Sequence, residues 1–166
     1  TFIGDDHPGL VERLSSVIEN NDGSWHESRL SQLGGKFAGL VLVSLPTASG
    51  PALEAELKAL SSSGISVRVT ATGTGHAAPA SRKVTMTVLG PDRLGIVLEI
   101  SRALAEHQVN VVEMDSEVNS AAMSGEMMFH ARIDAQVPAE LSLDELSDTL
   151  DAIANVMTLD IDLEHS

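Results

Sequence analysis

The sequence contains no cysteine and no tyrosine, and aromatic side chains make up only 2% of its 166 residues. The missing cysteine excludes disulfides, thiolate metal sites, iron–sulfur clusters and cysteine nucleophiles, and it is typical of a reducing compartment, so we expect a cytoplasmic location. Because aromatics are scarce, any core must be aliphatic. Hydrophobic residues make up 43% of the chain, which is enough for such a core and argues against disorder.

Positive charge is also scarce, since 10 Lys and Arg residues face 24 Asp and Glu residues and give a net charge of −14. Binding to nucleic acid needs a concentrated Lys/Arg surface, so we expect no direct contact with nucleic acid. No apolar run approaches the roughly 20 residues of a spanning helix, and no signal-peptide pattern is present, so we expect no membrane partner. The first residues, 1–3, are typical of the end of a strand, which predicts that residues precede Thr1.

The chain contains an internal repeat with a spacing of about 86 residues. The segment Gly4-Asp5-Asp6-His7-Pro8-Gly9 aligns with Gly90-Pro91-Asp92-Arg93-Leu94-Gly95. The same spacing places Glu27 on Glu113 and Gly39 on Gly125, with no gap over some 40 residues. Because glycines match at three positions, we interpret the repeat as a duplicated unit rather than as chance similarity of two amphipathic stretches.

Both copies show the same order of hydrophobic patterns. Alternation with a period of two predicts strands, and a period near 3.6 predicts helices, in the order βαββαβ. In the first copy the segments lie at 1–3, 10–18, 25–33, 37–45, 53–60 and 65–69, and in the second at 84–88, 96–104, 109–112, 129–133, 143–153 and 157–163.

This order predicts an α+β fold of two ferredoxin-like domains, each with a four-stranded antiparallel sheet and both helices on one face. We expect the first domain at 1–73, with a truncated first strand, a linker at 74–81, and the second domain at 82–166. The second domain carries 11 of the 14 excess negative charges. Because the other face of each sheet is open, we predict that the copies pack on each other through strands near 25–33 or 109–118, and that the chain can form a homo-oligomer.

The turn between the first strand and the first helix of each copy is the best candidate site. Asp6 and Asp92 stand three residues before Gly9 and Gly95. One interpretation is a helix-capping Asp with a packing glycine. The other is an anion or amino-acid site, in which free N–H groups at the helix start bind a carboxylate and the glycine allows close approach. The two interpretations are compatible, and both stay open.

This Asp-x-x-Gly turn, between a strand and a helix of a βαββαβ unit, resembles the ACT domain over nearly the whole chain, as two tandem copies. The first copy, through residues 4–11 and 33–40, resembles in particular the branch of the family that represses glycine cleavage genes. The resemblance implies a non-enzymatic regulatory module that binds a small amino acid, glycine or serine, at interfaces between copies. It also implies a DNA-binding transcriptional activator as a protein partner.

The resemblance further implies which residues contact the ligand, namely those of the first turn and of the start of the second strand. By position these are Asp6, His7, Gly9 and Leu10 in the first copy, and Asp92, Arg93, Gly95, Ile96 and Asn110 in the second. Because Ser24 replaces Asn110 in the first copy, and because Pro8 lacks the N–H of its counterpart, we expect the second copy to bind better. Valine at Gly95 is expected to block binding without changing the fold.

No pattern of an enzyme, a metal site or a cofactor site is present in the sequence. The six His residues are scattered without ligand spacing, and no P-loop, nucleophile elbow or catalytic triad is found, so we expect no catalytic residue, no metal and no cofactor. Two alternatives stay open. One is a regulatory ACT region of an amino-acid or one-carbon enzyme. The other is an acylphosphatase-like hydrolase, which Arg93 and Asn110 match in one copy only.

Overall fold

The computed structural model describes residues 1–72 and 80–165, and the chain divides into two compact units, Thr1–Thr74 and Gly75–Ser166. The elements of the first unit are β1 (Phe2–Asp5), α1 (Leu10–Asn20), β2 (Ser24–Leu33), β3 (Lys36–Ser44), α2 (Gly50–Ala59) and β4 (Ser66–Val67). Those of the second are β5 (Ser81–Pro91), α3 (Ile96–Glu106), β6 (Asn110–Ser120), β7 (Met127–Pro138), α4 (Leu143–Met157) and β8 (Asp160–His165). The predicted βαββαβ order is confirmed in both units.

Each unit contains one antiparallel four-stranded sheet, with the strand order β2-β3-β1-β4 in the first and β6-β7-β5-β8 in the second. The first strand of each unit is therefore central, and the second strand is an edge. The turn after the first strand leads directly into the first helix of the unit. The predicted ferredoxin-like fold is confirmed, and it places this turn at the end of a central strand.

Both cores are aliphatic, as the scarcity of aromatics requires. In the second unit α3 and α4 cover β5 and β7, and the fully buried side chains include Met86, Ile133 and Leu146. In the first unit α1 and α2 cover the sheet, and Phe2 packs near Phe37 with ring centroids 5.9 Å apart. Removing these apolar side chains from water is the main favourable contribution to folding of each unit.

Several element boundaries differ from the predicted ones, and three of these differences have a clear physical reason. Strand β1 continues to Asp5, because Asp5 pairs with Lys36 of β3. Strand β4 contains only Ser66–Val67, although alternation extends over 65–69. Met157 is the last residue of α4 rather than the first of a strand, because the chain leaves the helix at Thr158, which has a φ of 57°. Most of the predicted linker, 74–81, lies outside the described residues, and Ser81 already belongs to β5.

The two units share an irregularity that supports duplication. A β-bulge interrupts the pairing of β2 with β3 between Trp25 and Glu27, and a bulge interrupts the pairing of β6 with β7 between Val111 and Glu113. The repeat spacing of about 86 residues therefore holds through the second strand of each unit. Bulges insert one residue and redirect the strand, so their shared position indicates a common backbone design.

The alignment of Gly39 with Gly125 is wrong. Gly39 lies in β3 opposite Phe2, whereas the residue of β7 in the same position is Ala131, opposite Val88. Gly125 lies in the connection between β6 and β7, with a φ of 71°. The first unit makes this connection with two residues and the second with six, so the register shifts after the hairpin.

Alanine at Gly39 is expected to lower the free energy of unfolding of the first unit by about 1–3 kcal/mol, because a Cβ there would collide with the carbonyl oxygen of Arg29 and with the side chain of Leu30. Alanine at Gly50 is the matched control. Gly50 is helical, and a Cβ there would meet nothing within 4 Å apart from its chain neighbours. Because Pro51 follows and restricts the residue before it, we expect a much smaller loss than at Gly39 rather than none. The fluorescence of Trp25, the only tryptophan, reports both denaturant midpoints. Equal midpoints would contradict the packing at Gly39.

Candidate ligand site at the first turn of each unit

Helices α1 and α3 both begin after a glycine in the left-handed region. Gly9 has a φ of 91° and Gly95 a φ of 96°. The carbonyl of Gly9 accepts the N–H of Arg13 at 3.0 Å, and that of Gly95 accepts the N–H of Glu99 at 2.9 Å. These glycines are the N-cap residues, and neither helix has a side-chain cap.

The predicted capping role of Asp6 and Asp92 is therefore wrong. A capping side chain belongs to the N-cap residue itself and accepts from the second or third N–H of the helix. Both Asp residues stand three positions earlier, and their carboxylates are exposed. Their backbone N–H groups instead form hydrogen bonds to the neighbouring hairpin. The N–H of Asp6 donates to Gly35 O at 3.0 Å, and the N–H of Asp92 donates to Met127 O at 2.8 Å.

The first-turn N–H groups of α3 have no intrahelical acceptor, as in any helix, and no side-chain cap accepts from them. These groups belong to Ile96, Val97 and Leu98. The helix dipole adds a partial positive charge at the same place. The same holds for α1. Each turn thus offers free donors next to an exposed carboxylate, which is the arrangement that a small zwitterion requires.

Two of the predicted contact residues can offer only their backbone to a ligand. The side chains of Leu10 and Ile96 are 1% and 2% exposed and belong to the two cores. His7 and Arg93 lie on the turns themselves, where Arg93 is exposed and His7 Nδ1 lies 3.1 Å from Pro8 O. The structure therefore brings Asp6, His7 and Gly9 together in one turn and their counterparts together in the other.

The expected effect of valine at Gly95 needs correction. A side chain is strained at a φ of 96° whatever space is available, so this variant would disturb the helix start as well as any ligand. Glycine at position 90 has a different cause, because a Cβ there would lie 2.8 Å from Thr158 O. Gly90 allows the chain entering β8 to approach β5.

Asn110 does not lie at the turn of its own unit. It opens β6 opposite Gln136, and Gln136 pairs with Lys83 near the start of β5. The turn follows Pro91, at the other end of β5. Eight strand residues separate the two rows, which is roughly 27 Å at about 3.4 Å per residue. Asn110 and Asp92 of one unit therefore cannot contact the same amino acid.

An apolar groove between α3 and β6 was not predicted from the sequence. It is lined by Val97, Ile100, Ser101, Leu104, Val111, Met114, Phe129, Ala131 and Ile133. Strand β6 is exposed along its whole length. Only the tertiary structure shows that the apolar side of β6 borders the helix that starts at the turn.

Lys36 is a second feature that the sequence did not reveal. It forms an ion pair with Asp5 at the start of the first turn, because β3 pairs with β1. The hydrogen bond and the positive charge of Lys36 lower the pKa of the Asp5 carboxyl. Both side chains are exposed, so the pair contributes little to stability.

Replacing Lys36 by methionine is expected to raise the pKa of Asp5 back towards its ordinary value. A carboxyl whose pKa is lowered in the folded state contributes stability above its unfolded pKa, and this contribution is lost as the pH falls through the folded pKa. The small contribution of the pair therefore disappears only in acid. Carboxyl NMR titration measures the pKa. Lys58→Met, which removes the partner of Glu54, is the control, and an equal effect of both variants would contradict the assignment.

Within residues 1–72 and 80–165 no group of three His, Asp or Glu side chains is arranged to hold a metal ion. None of the helices in these two ranges is long and apolar enough to cross a membrane.

Residues 1–70 and residues 84–148 each match a family model of the ACT domain. The chain belongs to the ACT-domain family and contains two ACT domains in tandem.

Two solved structures are similar over the whole length of the chain. A crystal structure of an "unknown protein" from Galdieria sulphuraria is 30% identical, covers 99% of this chain and 95% of its own, and superposes with a TM-score of 0.83. The crystal structure of a "putative glycine cleavage system transcriptional repressor" is 20% identical over 98% of this chain and 92% of its own, with a TM-score of 0.71. At that identity the likeness shows the fold. No curated protein sequence matches the chain.

Proposed function

We propose that this chain is a non-enzymatic regulator in the cytoplasm. It binds a small amino acid, glycine or serine, and passes the signal to a DNA-binding activator of glycine cleavage genes. The observation that carries the proposal is the pair of uncapped helix starts, each beside an exposed aspartate, in a chain of two ACT domains. The likeness to a structure named as a glycine cleavage repressor suggests the regulated genes.

The turn of the second unit suits the two charged ends of an amino acid. The α-carboxylate would accept from the free N–H groups of Leu94 and of Ile96 to Leu98. The ammonium group would donate to the exposed Asp92 carboxylate. The Ile96 side chain fills the core, so it offers the ligand only its backbone N–H, and the choice of glycine or serine rests on the family resemblance.

We expect a neighbouring domain to complete the site. Asn110 lies at the far end of β6 from the turn, but antiparallel pairing of two edge strands would place the start of one beside the end of the other. An Asn110 side chain from one domain would then approach the turn of its neighbour. The exposed edge of β6 and its apolar groove beside α3 support this arrangement. Direct packing of the two copies within the chain stays a prediction.

A ligand held between two domains would act as a regulatory signal. Binding that occurs only in the associated arrangement stabilises that arrangement in proportion to ligand concentration. The amino acid would thereby change the surface presented to the activator. No catalytic step is part of the proposal. The hydrolase alternative loses its one match, because Asn110 lies at the opposite end of β5 from the turn that contains Arg93.

A reporter assay tests the regulatory role. Expression of a glycine cleavage promoter fused to a reporter is expected to rise when the gene for this chain is removed, and to fall again when the chain is supplied. The activator should be retained by the immobilised full chain, and the retained amount should change when glycine is added. A reporter that is indifferent to the chain in both directions would contradict the proposal.

The isolated chain is expected not to bind duplex DNA at physiological salt. Non-specific affinity comes mainly from neutralised phosphates, and a net charge of −14 opposes it. A gel shift at micromolar protein without any partner checks this. A shifted band would mean that the chain contacts DNA itself, and the partner-mediated mechanism would fail.

A further inference from the structure

The open face of the first unit's sheet, opposite its helices, is apolar. Along the central strands the side chains on this face include Ile3, Leu40 and Leu42, which are 49%, 59% and 44% exposed. Ala38 lies directly opposite Ile3 and extends the patch. Four aliphatic side chains on one sheet face are more than the scattered exposed residues that a protein surface normally carries.

The second unit is an internal control for this pattern, because it has the same topology and a shared bulge. The positions of Ala38, Leu40 and Leu42 are occupied by His130, Arg132 and Asp134. The fold therefore does not require apolar residues there. The same face of the second unit is strongly acidic. By register its charged residues are Lys83, Glu113, Asp115, Glu117, Arg132, Asp134, Asp160, Asp162 and Glu164.

The charges around the apolar face favour a second copy of the chain as its partner. Two copies of a chain with a net charge of −14 repel each other over most of their surfaces. The apolar face of the first unit is an exception, because its border carries acids and bases in near balance. These residues are Asp5, Glu27, Arg29, Lys36 and Arg68. A second copy can therefore approach this face without the repulsion that the acidic face of the second unit would cause.

The positions of Glu27 and Arg29 also select one register. They lie in adjacent rows of β2, opposite Leu42 and Leu40, and form an ion pair with each other at 3.5 Å. Both side chains are 67% exposed, so each can also approach the opposite charge of a second copy. Consider a two-fold axis that lies between the two sheets, runs perpendicular to the strands and passes between these two rows. Glu27 of each copy then lies over Arg29 of the other, and Leu40 lies over Leu42. An axis through the Leu40 row would instead place Arg29 over Arg29, which is unfavourable.

We propose that the open sheet face of the first unit is a homodimer interface, in which Leu40 and Leu42 of two copies pack across a two-fold axis and Glu27 of each copy pairs with Arg29 of the other. Sheets packed in this way lie about 10 Å apart with aligned strands. The interface goes beyond the proposed amino-acid sensing and does not depend on it.

The size of the face sets the strength of the dimer. The four strands have 10, 9, 4 and 2 residues, and at about 3.4 Å per residue and about 4.8 Å between strands they cover roughly 400 Å² per copy. About 800 Å² in total lies below the usual range of specific interfaces, so the dimer should be transient, with a dissociation constant weaker than micromolar.

Sedimentation of the full chain without amino acids, over a range of concentrations at constant moderate salt, tests the proposal. The wild type should dimerise reversibly. Glu27→Arg and Arg29→Glu should each weaken the dimer about tenfold or more, because each places like charges opposite one another, and the double reversal should restore it. Leu40→Glu should abolish dimerisation, whereas Val156→Glu, which charges an 81% exposed position of α4, should have no effect.

Several outcomes would overturn the proposal. One is a wild type that stays monomeric at every concentration, which would leave the face to another part of the chain or to another protein. A second is a dimer that Leu40→Glu does not weaken. A third is a dimer that both single reversals and the double reversal weaken equally, because this would contradict the two-fold register. Far-UV circular dichroism of each variant separates loss of association from loss of fold.

Discussion

Replacing Leu146 by alanine is expected to lower the free energy of unfolding of the second ACT domain by about 2–5 kcal/mol. Leu146 is 0% exposed and lies on the face of α4 that packs on the core formed with β5 and β7. The loss has two parts. One is the favourable free energy of burial that the removed methyl groups no longer contribute, and the other is the cost of the cavity left behind. Since domains of this size are stable by only about 5–15 kcal/mol, the variant should unfold at a clearly lower denaturant concentration.

Val156→Ala in the same helix is the matched control. Val156 is 81% exposed, and alanine has the higher helix propensity, so this variant should be as stable as the wild type or slightly more stable. Hydrogen exchange of the β7 amides reports both variants, because this strand lies in the middle of the sheet. A loss below about 0.5 kcal/mol for Leu146→Ala would contradict the assignment of this residue to the core.

Replacing Leu94 by proline is expected to weaken binding of glycine or serine at the second domain about tenfold or more. The side chain of Leu94 is 99% exposed and contributes no packing. Its N–H forms no backbone hydrogen bond within the part of the chain that the structure describes, so it is free for a carboxylate. A hydrogen bond to a charged group contributes about 1.5–3 kcal/mol, and proline removes the donor.

The first domain supplies both the control and the reason to expect an intact fold. Pro8 stands in the same position of the first turn, between His7 and Gly9, so the backbone of this turn accommodates proline. The reverse variant, Pro8→Leu, adds a donor and should not weaken binding. Calorimetric titration measures both, and unchanged affinity of Leu94→Pro would remove the turn from the site.

The fold could be predicted from the sequence because hydrophobic periodicity reports which face of an element is buried. The stripe of α3 and the alternation of β7 are examples, and both match the buried side chains. The errors lie where periodicity continues past the end of an element. Met157 continues the alternation of β8, yet it belongs to α4, and β4 has two residues in place of five. Backbone conformation at Thr158 and strand pairing decide these points, and neither is visible in the pattern.

The site could be predicted only in part. The turn was found because the two copies share Asp and Gly at fixed spacing, but the capping role did not follow, because an Asp three residues before an N-cap cannot reach the helix. The ion pair of Lys36 with Asp5 depends on the register of β3 against β1, which no local pattern encodes. Likewise, the 86-residue repeat could not reveal the longer β6–β7 connection, which separates Gly125 from Gly39.

Calorimetric titration of the full chain with glycine and with serine tests the central claim most directly. The account predicts saturable binding in the micromolar-to-millimolar range, on the order of −4 to −8 kcal/mol, with the stronger site at the second domain. Acetate and methylamine, which each carry one of the two charged groups, should bind much more weakly than glycine. If neither amino acid releases or absorbs heat of binding up to roughly ten millimolar, a range that includes all affinities expected of the site, the chain is not an amino-acid sensor.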